Sequence, residues 1–203
     1  DLFGPGDDKQ DFRVFDFCFN FDFFREHPQG LEGRGVVPLG TRLFQSRVQL
    51  LTQIRTAPGL DPQATLAGSL TTALYEEVKA MNRENFIVRM QLEAVERFQN
   101  QQSWERLTEA DAEVLHQRVA GLPSEIDTDE IESRLFDFTI LKMQVALAEG
   151  ELAVIERGRL RVVELAGLLE EKKTIPAVVA QLAYLASVQE TTFWEGINLT
   201  SLE

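Results

Sequence analysis

The first 24 residues hold eight of the fourteen phenylalanines of the chain. Between Phe12 and Phe24, aromatic and polar residues alternate, which is the period of a strand with one buried face. The aromatic face would hold Phe15, Phe17, Phe19, Phe21 and Phe23. A single strand leaves its backbone groups unpaired, so it needs neighbouring strands. We therefore expect residues 1–24 to be an extended, aromatic-rich segment from the sheet of another domain.

A second part of the chain has the composition of a linker. Residues 25–40 are rich in glycine and proline, with Pro28, Gly30, Gly33, Gly35, Pro38 and Gly40. From residue 41 the apolar residues recur every three or four positions, which is the period of a helix. The sequence thus predicts a mainly α fold, with residues 41–203 forming a bundle of about seven helices. We find no repeat of fixed period in it.

Capping residues and breakers set the predicted helix boundaries. Helix starts are expected at Thr41, at Asp61 with the following proline, at the capping box Thr108–Asp111, and at residues 127–130. Gly150 is expected to kink or end a helix. One continuous helix is predicted from Glu84 to Gln101, with Phe86, Met90 and Phe98 on its stripe, and another from Pro176 to about Val188.

The charge balance disfavours nucleic acid as the main partner. Acidic residues outnumber basic ones 33 to 20, for a formal net charge of −13, whereas phosphate backbones attract clustered Lys and Arg. The single cysteine and the missing secretory signal point to a reducing, cytoplasmic location. The longest apolar run, Ile175–Ala186, is too short to cross a bilayer, which takes about 20 residues.

Candidate catalytic chemistry is sparse. No phosphate-binding loop occurs, and Cys18, His27 and His116 are too few and too scattered for a zinc site. Three acidic clusters could bind Mg²⁺ or fit a nuclease: Glu76-Glu77, residues 127–132, and Glu170-Glu171-Lys172. Helix capping and solvated helix faces explain all three. We expect no catalytic, cofactor-binding or metal-binding residue in this chain.

Three aromatic residues stand out as possible anchors for a protein partner. They are Trp104, Phe193 and Trp194, and exposed aromatic side chains concentrate binding energy in protein interfaces. The alternative is that they pack inside the helical bundle.

Both ends of the chain resemble one family. Asp1-Leu-Phe-Gly-Pro-Gly-Asp-Asp-Lys9 with Phe12–Phe24, and Ile175–Leu182 with Thr192–Leu202, resemble the R (motor and restriction) subunit of type I restriction enzymes. The residues between these two ends match the family in general character and carry no specific motif. One departure is Phe19, where relatives commonly have a glycine.

The resemblance implies a domain organisation and a function. Residues 1–24 would be the terminal strand of a RecA-like helicase domain, 25–40 a linker, and 41–203 a non-catalytic C-terminal helical domain. That domain would dock the motor onto the methyltransferase and specificity subunits. The parent enzyme, which uses ATP and Mg²⁺ to translocate and cleave DNA, would carry its catalytic residues upstream of Asp1.

A different function remains open from the same sequence. The helical domain could instead guide the translocated DNA, through a basic stripe of Arg83, Arg89, Arg97 and Arg106.

Overall fold

The computed structural model of this protein describes residues 37–57, 59–61, 64–126 and 130–202. These residues are mainly helical and include no strand, which confirms the predicted mainly α class. They belong to one compact unit that begins at Val37. The predicted strand within residues 1–24 and the expected helix start at residues 127–129 lie outside the described residues.

Nine α-helical segments occur among the described residues. They are α1 Leu39–Thr56, α2 Thr65–Lys79, α3 Phe86–Arg89, α4 Leu92–Phe98, α5 Glu109–Val114, α6 Ile131–Glu149, α7 Leu152–Glu170, α8 Pro176–Ala180 and α9 Leu182–Gln189. A π-helical turn, Leu115–Val119, continues α5. Short 3₁₀ turns follow α4 and α9, at Gln101–Trp104 and Thr191–Trp194, and a third lies at Thr200–Leu202.

Several predicted helix boundaries are confirmed and others are wrong. The capping box of Thr108 and Asp111 starts α5, and Gly150, at a left-handed φ of 75°, ends α6. Thr41 is not a cap, because α1 begins two residues earlier, directly after Pro38. Pro38 is the N-cap residue, with ψ 147°, and it has no backbone N–H to leave unpaired at the helix start. Asp61 lies ahead of α2 and accepts a hydrogen bond from the backbone N of Ala67, at 2.8 Å.

The two predicted helices around Met90 and Gln181 are each divided in two. Gln91 has φ −123° and ψ 24°, and Gln181 has φ −113° and ψ 9°, both outside the helical region. Apolar spacing does not reveal a single residue that leaves helical geometry, so neither bend was predictable from the sequence. The bend at Gln91 separates Phe86 and Met90, which are exposed, from Phe98, which is fully buried.

The described residues contain two copies of one helical unit. The first helix of each copy carries Arg-Leu-Phe, at Arg42–Phe44 in α1 and Arg134–Phe136 in α6. Each copy then has a second long helix, two short helices joined by a bend, and a 3₁₀ turn that ends in tryptophan. We call residues 39–119 the first repeat and residues 131–202 the second repeat. The expectation of no repeat was wrong. The two copies share few residue identities, so the sequence alone did not reveal them.

From about residue 82 of the first repeat onward, backbone hydrogen bonds match between the repeats at an offset of 90 residues, the spacing of Trp104 and Trp194 (194 minus 104). The Arg-Leu-Phe motifs of the first helices, and with them Phe44 and Phe136, are 92 residues apart (136 minus 44). The N–H of Gln91 donates to Val88 O at 2.9 Å, and that of Gln181 to Val178 O at 3.0 Å. The tryptophan indoles match too: Trp104 Nε1 donates to Phe98 O and Trp194 Nε1 to Val188 O, each at 2.8 Å. The two segments therefore share one backbone conformation.

The two repeats pack through their first helices, α1 and α6, which run parallel. Near their N-terminal ends the Arg42 guanidinium lies 4.3 Å from the centroid of the Phe138 ring. Near their C-terminal ends Gln49 and Gln53 both donate to Glu149 Oε1, at 2.8 and 2.6 Å. One hydrophobic core extends across this contact and includes residues of both helices.

Within each repeat the first two helices form an antiparallel hairpin. In the first repeat, Arg47 near the middle of α1 pairs with Glu77 near the end of α2, at 3.4 Å. In the second repeat, Gly158 of α7 lies directly against the buried Met143 of α6. A Cβ at position 158 would be 2.2 Å from Met143 Cγ, so the absence of a side chain permits this close approach.

Candidate docking surfaces

Trp104 lies in the hydrophobic core. Only 1% of its surface is exposed, and its ring packs edge-on against Phe98 with a centroid distance of 5.6 Å. Its indole N–H is satisfied by the Phe98 carbonyl. A side chain buried in this way cannot anchor a partner, so Trp104 follows the alternative of packing inside the bundle.

Phe193 and Trp194 form part of an aromatic cluster that is only partly covered. Their rings meet edge-on at 5.3 Å, and Tyr184 of α9 meets Phe193 in the same geometry at 6.0 Å. Phe193 and Trp194 are half-buried, whereas Tyr184 is 55% exposed. These two predicted anchor residues therefore lie together at an accessible surface.

The aromatic cluster borders a groove of about 520 Å³ beside α6, α7 and α9. We call it the second-repeat groove, and the lining residues that matter below are Phe136, Ile140, Tyr184, Leu185, Val188 and Trp194. The opposite wall comes from the first repeat, with Leu66 and Leu70 of α2. This volume lies in the range of binding sites for small molecules or a few side chains.

A separate apolar surface lies on the short helix α3. Phe86, Ile87 and Met90 are 79%, 53% and 68% exposed, and we call these three residues the Phe86 patch. The side chain of Asn85 caps this helix, accepting a hydrogen bond from Ile87 N at 2.9 Å. The apolar spacing that suggested a core stripe here is therefore the signal of an exposed surface.

The second repeat shows that the fold does not need large side chains at the Phe86 patch. At the offset of 90 residues, Pro176, Ala177 and Ala180 occupy the corresponding positions. They form the same short helix with much smaller side chains. Large exposed apolar side chains that a fold does not require are typical of interaction sites.

The predicted basic stripe is partly neutralised by ion pairs. Arg83 pairs with Glu96 at 3.2 Å, and Arg97 pairs with Asp111. Asp111 is almost fully buried. Its burial raises the pKa of the carboxyl, but hydrogen bonds from Thr108 and the charge of Arg97 outweigh this and hold the pKa below its ordinary value. Asp111 is therefore an ionised structural cap.

Two of the acidic clusters have members that are paired within the fold. Glu76 pairs with Lys79 at 3.2 Å, and Glu170 accepts a hydrogen bond from Gln189 at 2.9 Å. Burial raises the pKa of Glu77, an effect that Arg47 and Arg134 partly offset. In the described part of the chain, no three His, Cys, Asp or Glu side chains come together as metal ligands.

Comparisons with protein-family models, with curated proteins and with solved structures gave no match to this chain. None of the helices formed by the described residues combines the length and the apolar character needed to span a membrane.

Proposed function

We propose that residues 37–203 form a non-catalytic helical module that docks onto another protein through the Phe86 patch. The observation that carries this proposal is the difference between the repeats at matched positions. The first repeat exposes Phe86, Ile87 and Met90, whereas the second has small residues there. Aromatic residues and methionine are enriched in protein interfaces, where a few buried anchors supply most of the binding energy.

The resemblance at the two ends of the chain suggests the partner. In a type I restriction enzyme R subunit, this module would dock the motor onto the methyltransferase and specificity subunits. The proposal places the protein in the cytoplasm. The parent would use ATP and Mg²⁺ through residues outside this module and would reach DNA through the whole assembly. The net charge of −13 fits a protein partner better than a DNA backbone.

The alternative of a DNA-guiding surface has less support. It depends on four arginines, of which Arg83 and Arg97 already pair with carboxylates. Each paired arginine would have to give up its partner to contact a phosphate. Because such a surface would release few counterions, it would bind DNA weakly at physiological salt.

The decisive test is binding of the 203-residue chain to the assembled methyltransferase and specificity subunits, measured by calorimetry. We expect the double variant Phe86→Ala/Met90→Ala to weaken binding by at least about tenfold, which corresponds to ~1.4 kcal/mol. Both side chains are mostly exposed in the free chain, so the fold should tolerate their truncation.

The matched control is Leu152→Ala, since Leu152 is 76% exposed but lies in a different part of the surface, at the start of α7. This variant should bind as the original chain does. Equal affinity of the double variant and the original chain would contradict the role of the patch. A parallel titration with duplex DNA, showing tight and strongly salt-dependent binding, would instead support the DNA-guiding alternative.

A further inference from the structure

In the first repeat, helix α5 and its π-helical continuation pack against α1. Leu115 and Val119 of this segment are fully buried. Gln45 of α1 donates to the backbone carbonyl of His116 at 3.1 Å. Arg118 donates to Gln91 at 2.7 Å, which ties the segment to the bend between α3 and α4.

In the second repeat, the described residues leave the corresponding side of α6 uncovered. Phe136, the counterpart of the fully buried Phe44, is 40% exposed. Tyr184 is 55% exposed, whereas its counterpart Ala94 in the first repeat is buried. Trp194 is half-buried, whereas its counterpart Trp104 is almost fully buried. Helix α5 and its continuation contact α1 and α4 in the first repeat, and the counterparts of those two helices, α6 and α9, line the second-repeat groove.

The second repeat nevertheless contains the start signal of the covering helix. In the first repeat Asp111 N donates to the cap residue Thr108, at 3.2 Å. At the offset of 90 residues, Ser201 N donates to the side chain of Asn198, at 3.0 Å. Asparagine is among the preferred helix caps. Residues Thr200–Leu202 then form a short helical turn, in the place of the first turn of α5.

We propose that the second-repeat groove is the docking site of an amphipathic helix that continues from the Asn198 cap. In this register Leu202 corresponds to Ala112, and Glu203 to Glu113. The helix would carry bulky aliphatic side chains three and seven residues after Leu202, where Leu115 and Val119 follow Ala112. It would enter the groove with no linker, because its first turn and its cap are already in place.

The chemistry of the groove agrees with such an occupant. Its walls are mainly apolar side chains, and its volume of about 520 Å³ can take a few aliphatic side chains. Gln144 at the C-terminal end of the groove donates to Leu202 O at 3.1 Å and so fixes the point of entry. This inference concerns a different surface from the Phe86 patch and does not depend on the proposed function.

The test is to add to the 203-residue chain, directly after Glu203, a copy of residues 114–122, which follow Glu113 in the first repeat. We expect the melting temperature to rise by at least about 4 °C. Quenching of tryptophan fluorescence by acrylamide should also decrease. The chain has two tryptophans, and the added helix should protect the half-buried Trp194 from the quencher.

The control is the same extension with aspartate at the two positions copied from Leu115 and Val119. It should leave both the melting temperature and the quenching of Trp194 unchanged, because charged side chains cannot enter the apolar groove. Identical behaviour of the two extended chains would overturn the proposal. So would a concentration-dependent dimer of the original chain in which Trp194 is already protected, since a second copy would then fill the groove.

Discussion

Among the glycines that the structure describes, Gly158 is the one where an added methyl group would make the closest contacts, because α7 packs directly against α6 there. A Cβ there would lie 2.2 Å from Cγ and 2.3 Å from Sδ of Met143. Real carbon atoms do not approach so closely, and Met143 is fully buried. Gly158→Ala must therefore displace the Met143 side chain or move the two helices apart.

Two opposing terms set the change in unfolding free energy caused by Gly158→Ala. Replacing glycine by alanine inside a helix gains about 1 kcal/mol of helix stability. Overpacking a well-filled core by one methyl group costs about 1–3 kcal/mol. The matched variant is Gly68→Ala in α2, where a Cβ would meet no atom within 4 Å and only the first term applies. We expect the two variants to differ in unfolding free energy by about 1–3 kcal/mol, with Gly158→Ala the less stable.

Urea unfolding of the 203-residue chain measures this difference. Combining Gly158→Ala with Met143→Ala should cost less than the sum of the single changes, because the shortened side chain no longer meets the new methyl group. If Gly158→Ala stabilised the chain as much as Gly68→Ala, the close packing of α6 on α7 would be refuted.

Two further predictions follow from the matched tryptophans and from the buried cap. Trp104→Ala should destabilise the chain by about 3–5 kcal/mol, and Trp194→Ala clearly less because Trp194 is half-exposed. The urea midpoints of the two variants will rank their stabilities. Equal losses of unfolding free energy would contradict the open groove. Asp111→Asn should destabilise by about 1–2 kcal/mol at pH 7, since it weakens both the Thr108 cap and the Arg97 pair. The pKa of Asp111 is depressed on folding, so this stabilisation is complete above the unfolded pKa and is lost as the pH falls through the folded one. Unfolding curves of the two chains should therefore converge in acid, and a pH-independent gap would contradict the assignment.

Local signals made the helical class predictable from the sequence. The capping box of Thr108 and Asp111 specifies a helix start by itself, and Gly150 ends a helix because only glycine readily adopts its left-handed φ. Phe44 and Val48 lie on a stripe of α1 and are both buried. These features depend on neighbours within a few residues, so no tertiary information is needed.

The candidate surfaces were less predictable, because they depend on contacts between distant segments. The bend at Gln91 decides that Phe86 and Met90 face solvent, and glutamine carries no strong breaking signal. Trp104 and Trp194 were both candidate anchors, yet only the structure separates the covered one from the half-covered one.

The two repeats separate what the fold requires from what it leaves free. Gln91 and Gln181 keep the bend, and Trp104 and Trp194 keep the same indole hydrogen bond, so these features belong to the shared backbone. The Phe86 patch differs between the copies while its helix does not, so its bulk is not needed for folding. The second-repeat groove keeps an apolar lining although nothing among the described residues covers it. Apolar side chains exposed without a partner favour aggregation, which is why an occupied groove explains their presence better than an empty one.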